Sequence, residues 1–181
     1  MRALRTPASA VAVAVAVAVA VAVGSMAASA AGTARLSGGQ RRVVHDATKQ
    51  YRDVDVALSD GYVPVGECAE LAGVGGMGYH YLNPELAVDT VIDPARPEIL
   101  VYQRDRTGRL RLGAVEYFVA DADQDLSTDG DRPSLFGAFP FDGPMAGHEQ
   151  GMPIHYDLHV WLHRHNPAGQ LAPWNPKVTC L

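Results

Sequence analysis

The chain has 181 residues, with 15 basic residues, 20 acidic residues and a formal net charge of −5. An acidic balance of this kind argues against nucleic acid or an anionic membrane surface as a partner, because both are recognised by positively charged surfaces. We therefore expect no nucleic acid, and no membrane once a leader is removed, among the partners of this protein.

The N-terminal region has the pattern of a secretory signal peptide over residues 1–31. Arg2 and Arg5 form its positive start, an apolar run covers residues 8–23, and Ala28-Ser29-Ala30 supplies a small-residue cleavage pattern. The apolar run is short for a membrane span, which requires roughly 20 residues, although an uncleaved N-terminal anchor remains the alternative. The pattern predicts a secreted, extracellular protein, or a cell-surface protein if the leader is not cleaved.

Residues 32–181 then form a single secreted domain of about 150 residues, which is enough for one hydrophobic core. This part contains both cysteines of the chain, Cys68 and Cys180. In an oxidising compartment an even pair favours a disulfide bond, with two free thiols as the alternative. In the chain-entropy model the bond would stabilise the folded state by roughly 4–5 kcal/mol, because it closes a long loop. It would also attach the C-terminus to the early part of the domain.

A helical pattern comes first in the mature chain. Apolar residues recur with helical spacing between Gln40 and Ser59, and Gly61 supplies a stop signal. We therefore predict one long amphipathic helix, followed by irregular chain. The glycine-rich segment 72–80 lacks the spacing of a phosphate-binding loop, so we expect a tight loop there.

The rest of the chain is predicted to be mainly β. Ile99–Arg104 and Arg109–Ala120 have the character of strands joined by a turn at residues 106–108, which indicates a β-hairpin. Residues 133–153 are expected to cover the core without regular structure, and a further strand is predicted at Tyr156–Leu162. This order predicts an α+β domain in which the long helix packs on a mainly antiparallel, loop-rich sheet with one disulfide.

Glu116 is the residue that points most clearly to function. Because side chains alternate along a strand, Glu116 is expected to share one face with a set of apolar residues. These residues are Leu110, Leu112, Ala114, Phe118 and Ala120. A carboxylate buried among them is costly unless it is paired or binds a metal. We expect Glu116 to be a metal ligand or a general base with a raised pKa, and an ion pair with a nearby arginine is the alternative.

Four of the seven histidines lie in one short run near the C-terminus, and imidazole is the commonest metal ligand of proteins. In a helix, His155 and His159 would lie one turn apart and chelate zinc. In a strand they would lie about 13 Å apart, at ~3.3 Å per residue, and would not share one ion. We favour the strand over the helix, and a metal site must then recruit ligands from elsewhere, with His80, Glu116 and His148 as candidates.

Other familiar site patterns are not found in the sequence. It lacks the Gly-x-Ser-x-Gly elbow of many hydrolases and the His-Glu-x-x-His motif of zinc proteases. An acidic loop begins like a calcium loop at Asp121, Asp123 and Asp125, but Leu126 replaces the required glycine and Arg132 replaces the final glutamate. We therefore favour a solvated loop over a weak calcium site at these three residues.

Four segments of the mature chain carry a resemblance when they are taken together. They are GMGYHYLNP at residues 76–84, VEYF at 115–118, YDLHVW at 156–161 and NPKVTC at 175–180. The combination resembles a family of small secreted bacterial proteins known only as uncharacterised. The resemblance covers most of the mature chain and implies a compact exported domain, and it implies no activity, cofactor or catalytic residue.

The leading hypothesis is a secreted domain that binds a transition metal, zinc or copper, through histidines and one carboxylate. The candidate ligands are His80, Glu116, His148, His155 and His159. If the ion assists a reaction, Glu116 and His159 are the candidate catalytic residues. One alternative is a non-enzymatic module that binds a small molecule or an extracellular partner, and another is a metal-free enzyme that uses Glu116 and a histidine as acid and base. Whether the protein is an enzyme stays open at this point.

Overall fold

A computed structural model describes residues 34–180, and the predicted signal peptide at residues 1–31 lies outside them. Within residues 34–180, no helix combines the length and the apolar character that crossing a membrane would require.

The main element of the fold is a six-stranded antiparallel sheet. In chain order the strands of the protein are β1 (Val63–Leu71), β2 (Gly75–Leu82), β3 (Ile99–Arg104), β4 (Leu110–Ala120), β5 (Ser134–Leu135), β6 (Phe139–Pro140), β7 (Asp142–Met145) and β8 (His155–Trp161). The large sheet has the order β1-β2-β3-β4-β8-β7, and β5 pairs with β6 in a separate ribbon. The two central strands, β3 and β4, therefore lie between the glycine-rich strand and the strand that contains the histidine run.

The prediction of an α+β domain with one long helix is wrong, because the fold is mainly β. The helical region is short and divided into α1 (Gly38–Thr48), a 3-10 turn (Lys49–Arg52) and α2 (Val54–Ser59). The division falls at Asp53, whose backbone is extended and whose side chain accepts a hydrogen bond from the N–H of Asp55. Asp53 is therefore the N-cap that starts α2, whereas α1 has already ended at Thr48, so the apolar spacing continues across a break in the helix.

The β-hairpin and the last strand were predicted correctly, whereas the first two strands were missed. β3 and β4 form the hairpin, and β8 is the strand at the histidine run. The segment expected to be a glycine loop is strand β2, in which Gly76 and Gly78 lie so close to neighbouring chain that a Cβ would press on Val178 or on the carbonyl of Tyr102. The glycines therefore serve close packing inside a sheet. Short strands also occur within residues 133–153, where no regular structure was expected.

Strand β4 contains a bulge at Gly113. The register between β3 and β4 shifts at this point, so that Leu112 and Ala114 lie opposite consecutive residues of β3. Leu112 belongs to the core that includes the helices, whereas Ala114 belongs to the core on the other face. The single face predicted for residues 110–120 is therefore wrong before the bulge and correct from Ala114 onward, where it includes Glu116.

The predicted disulfide bond is present and joins Cys68 of β1 to Cys180. The C-terminal segment is also held by noncovalent contacts. Asn175 pairs with Gly76 of β2 through an isolated bridge, and Val178 is buried in the smaller of the two cores. The C-terminal segment thus lies against β1 and β2 and covers part of the face to which Glu116 belongs.

Candidate metal centre

Strands β2, β4 and β8 bring His80, Glu116 and His159 together on one face of the sheet. Glu116 and His159 are direct partners across β4 and β8. His80 lies on β2, which is separated from β4 by β3, and its partner on β3 is Val101. The side chain of His80 therefore reaches across β3 to meet Glu116.

The distances within this group are those of a set of metal ligands. Glu116 Oε2 lies 3.2 Å from His80 Nε2 and 3.4 Å from His159 Nε2. One donor atom from each of the three residues lies within 4.8 Å of the others. Ligands bound at 2.0–2.1 Å to a tetrahedral ion are about 3.3–3.4 Å apart. The group can therefore hold a metal ion.

The group is buried and has polar atoms without partners. Glu116 is 3% exposed and His159 is 1% exposed, whereas 16% of the His80 side chain is accessible. Within residues 34–180, neither Glu116 Oε2 nor His159 Nε2 has a partner in hydrogen-bond geometry. A buried polar atom left in this state costs about 1–3 kcal/mol, and an ion between the two atoms would remove that cost.

The protonation states of the group suit metal binding. Burial alone raises the pKa of Glu116, but the imidazoles of His159 and His80 outweigh it and lower the pKa to about 2. Burial lowers the pKa of His159 from its ordinary value. The imidazoles lower the pKa of Glu116 through the positive charge that they carry when protonated. A metal ion in place of those protons would keep Glu116 ionised and leave the imidazole of His159 neutral, which are the forms in which these side chains bind metals.

His155 and His148 are not brought into this group. The ring of His155 is fully buried, its Nδ1 lies 3.1 Å from the carbonyl oxygen of Pro153, and it stacks on Phe118. His148 lies beside His155, with ring centroids 5.4 Å apart. Because His155 is four positions from His159 along an extended strand, the two rings occupy separate places on the same face.

Asp157 belongs to the surroundings of the site and was not singled out from the sequence. Its Oδ1 lies 3.9 Å from His159 Nδ1, and its Oδ2 lies 3.9 Å from His155 Nε2. Burial raises the pKa of Asp157 well above its ordinary value, and the nearby carboxylate of Glu116 raises it further. Strand alternation was the available signal, because Asp157 lies between two histidines of the same face. It lies beside the ring nitrogen of His159 that does not face Glu116, where a carboxylate commonly orients a metal-bound histidine, but within residues 34–180 this nitrogen has no hydrogen-bond partner.

The acidic loop is organised by its own backbone. Asp121 and Asp123 both accept a hydrogen bond from the N–H of Asp125, and Asp125 accepts one from the N–H of Ser127. Within residues 34–180, His80, Glu116 and His159 are the only group of three or more potential metal-binding side chains that lie close together.

Comparison of this chain with protein-family models, with curated proteins and with solved structures finds no match. The function of the protein must therefore be inferred from the chemistry of the residues themselves.

Proposed function

We propose that this protein is a secreted domain that binds one transition-metal ion, zinc in preference to copper, through His80, Glu116 and His159. The observation that carries the proposal is the pair of buried atoms Glu116 Oε2 and His159 Nε2, which lie 3.4 Å apart and have no hydrogen-bond partners within residues 34–180. An ion at this position would be bound by two imidazoles and one carboxylate, a donor set that suits zinc.

The donor set also favours zinc over copper. It offers neither thiolate nor thioether sulfur, the soft ligands that select Cu(I). The spacing of the donor atoms fits a tetrahedral arrangement, whereas Cu(II) prefers tetragonal coordination. Copper is therefore the competing ion, and titration with each metal must distinguish its binding from that of zinc.

Three protein ligands leave one position of a tetrahedral ion for water or a small ligand. A zinc ion held in this way supplies Lewis acidity at neutral pH. His80 is the accessible member of the group, so a small-molecule substrate would approach from its side. Glu116 and His159 would hold the ion in place from the buried side, with Asp157 next to the outer nitrogen of His159.

The proposed compartment is extracellular. The leader pattern of residues 1–31 supports export, and the Cys68–Cys180 disulfide supports an oxidising environment. The proposed partner is a small molecule or an extracellular ligand, and neither nucleic acid nor, after leader cleavage, a membrane.

A metal-free acid–base enzyme is the second candidate. It is favoured by the 3.2 Å separation of His80 Nε2 and Glu116 Oε2, which suits proton exchange between a carboxylate and an imidazole. In that case a protonated His80, in place of an ion, would balance the charge of Glu116. A binding module that presents its histidines to a partner has less support, because His155 and His159 are buried.

The test is elemental analysis of the protein purified after export through an oxidising compartment, followed by calorimetric titration of the chelator-stripped protein with zinc and with Cu(II). We expect the purified protein to contain, or the stripped protein to bind, about one equivalent of zinc per chain. The informative variant is His80→Ala, because His80 is the most accessible member of the group and its truncation leaves both cores intact. This variant is expected to lose tight zinc binding while it keeps its circular-dichroism spectrum.

The matched control is His148→Ala, which removes an exposed imidazole outside the group. It is expected to bind zinc as the unsubstituted protein does. Equal loss of zinc in both variants would exclude the three-residue site. A folded protein that retains no metal and takes up neither ion would overturn the metal proposal and leave acid–base chemistry at Glu116 and His80 as the function to assay.

A further inference from the structure

A second feature of the molecule is a cleft of about 460 Å³ between the start of α1 and the chain that follows β8. Its walls carry an unusual concentration of positively charged and titratable side chains. They include Arg35, Arg41, Arg42, His45, His163 and Arg164. The volume is in the range of pockets that bind small molecules.

The charge of the cleft contrasts with that of the rest of the molecule. Without Arg2 and Arg5, thirteen basic and twenty acidic residues remain, a net charge of −7. Four arginines nevertheless line this one cleft, and no acidic residue is among the described residues that line it. Within residues 34–180, the side chains of Arg35, Arg41 and Arg42 form no ion pair and no hydrogen bond. The side chain of Arg164 donates only to the carbonyl oxygen of Lys177. The charge of the four arginines is therefore not neutralised by an ion pair, whereas the lining residue His45 lies 3.3 Å from the carboxylate of Asp46.

Part of this positive charge lies near the start of α1, where it is unfavourable for the helix. Gly38, Arg41, Arg42 and His45 follow the i, i+3, i+4, i+7 spacing of one helix face. The first turn of α1 contains no acidic residue, although acidic side chains are the ones that stabilise a helix N-terminus. Arginines near this end add to the positive end of the helix dipole, an arrangement that favours a bound anion.

The opposite wall of the cleft is held in place by the bulge in β4. The carbonyl oxygen of Gly113 accepts hydrogen bonds from the N–H groups of both His163 and Arg164. The ring of His163 stacks on His45 with centroids 5.2 Å apart, and its Nε2 lies 3.0 Å from Thr48 Oγ1. One wall of the cleft is therefore α1, and the other is the chain after β8, which hydrogen bonds to β4 hold in place.

We infer that this cleft is a binding site for a small molecule with two or more anionic groups, phosphate or carboxylate. Guanidinium groups bind both kinds of group through paired hydrogen bonds, and several arginines are available for more than one such group. A cleft of this volume suits a small ligand, and the acidic remainder of the surface repels an anionic polymer. The site is separate from the proposed metal centre, since none of its lining residues belongs to the group of His80, Glu116 and His159.

The experiment uses the chelator-stripped protein at low ionic strength, so that failure of the metal proposal does not affect it. Calorimetric titration with inorganic pyrophosphate and with citrate is expected to show one site per chain for at least one of the two, and the affinity is expected to fall with added salt. The double variant Arg41→Gln/Arg42→Gln is expected to lower that affinity by about tenfold or more. The control is Arg106→Gln/Arg109→Gln, which removes the same charge from the exposed β3–β4 turn and is expected to leave the affinity within about twofold.

Three results would overturn the inference. The first is no binding of either probe at millimolar concentration by the folded protein. The second is an equal loss of affinity in the two double variants, since the effect would then be one of net charge alone. The third is tighter binding of heparin or single-stranded DNA than of both small probes, which would assign the arginines to an anionic polymer.

Discussion

Glu116 on β4 and His159 on β8 are direct partners across the sheet, and the facing atoms Glu116 Oε2 and His159 Nε2 lie 3.4 Å apart without a hydrogen bond between them. Burial and ionisation of the carboxylate are compatible only if a positive charge lies nearby. His80, at 3.2 Å from Glu116, can provide that charge as a proton carrier or can share an ion with the other two residues. The stability of the protein should distinguish these cases.

Zinc is expected to stabilise the protein against unfolding. An ion that binds only the folded state adds about 2.7 kcal/mol to the free energy of unfolding at a free concentration one hundred times its Kd. Denaturant unfolding of the chelator-stripped protein, with and without zinc, measures this difference. Glu116→Gln keeps the shape of the side chain and removes its charge, so it is expected to abolish most of the zinc effect, and magnesium is expected to have none. Full zinc stabilisation of Glu116→Gln would exclude Glu116 as a ligand.

Gly113→Ala is expected to destabilise the fold by about 1 kcal/mol, because a Cβ at this position would displace the amide end of the buried Gln103 side chain. The control is Gly39→Ala in α1, where a Cβ meets nothing within 4 Å. It should be neutral or stabilising by up to about 1 kcal/mol. Thermal and denaturant unfolding of both variants checks the pair. Similar stability of Gly113→Ala and the unsubstituted protein would show that the bulge tolerates a side chain.

Glu98 is expected to make stability fall as pH rises. Burial raises the pKa of its carboxyl group from an ordinary value of 4.5 to about 7, although the group accepts a hydrogen bond from the N–H of Phe118. Between these two pH values the folded protein holds a proton that the unfolded chain has lost. Stability contributed by this group is therefore fully present below about pH 4.5 and is lost as pH rises through about 7.

Glu98→Gln should remove this dependence, because an amide oxygen still accepts the hydrogen bond of Phe118 and does not ionise. Between pH 4.5 and pH 8 the unsubstituted protein is expected to lose about 3 kcal/mol of unfolding free energy that Glu98→Gln retains. Urea unfolding at a series of pH values measures the difference. Glu67→Gln, at an exposed position, is the control and should follow the unsubstituted protein. Parallel pH curves for Glu98→Gln and the unsubstituted protein would contradict the prediction.

Reduction of the Cys68–Cys180 bond is expected to lower the free energy of unfolding by about 2–5 kcal/mol. The bond closes a segment of 112 residues and holds the C-terminal segment against β1 and β2. Comparison of the oxidised protein with Cys68→Ala/Cys180→Ala by denaturant unfolding gives the value. The same protein treated with reductant provides an independent measure. Equal free energies of unfolding for the oxidised and substituted proteins would contradict the expectation.

The local features of the chain were open to prediction because they depend on neighbouring residues. Strand alternation placed Glu116 among apolar side chains and favoured a strand at the histidine run, and the even pair of cysteines indicated the disulfide. The long helix was predicted wrongly for a local reason as well. Apolar spacing continued past Asp53, but α1 ends at Thr48 and the side chain of Asp53 caps the start of a second, short helix.

The sequence by itself determined that an acidic side chain, Glu116, would be buried, because its neighbours on the strand are apolar. Only the tertiary structure decided which imidazoles surround it. His80 lies on β2, a strand that glycines allow to pack closely, and its side chain reaches Glu116 across β3. His155 lies on the same strand as His159 but does not belong to the group around Glu116. Strand order and the bulge at Gly113 set these distances. They arise from pairing between segments far apart in sequence, which the local pattern of residues does not encode.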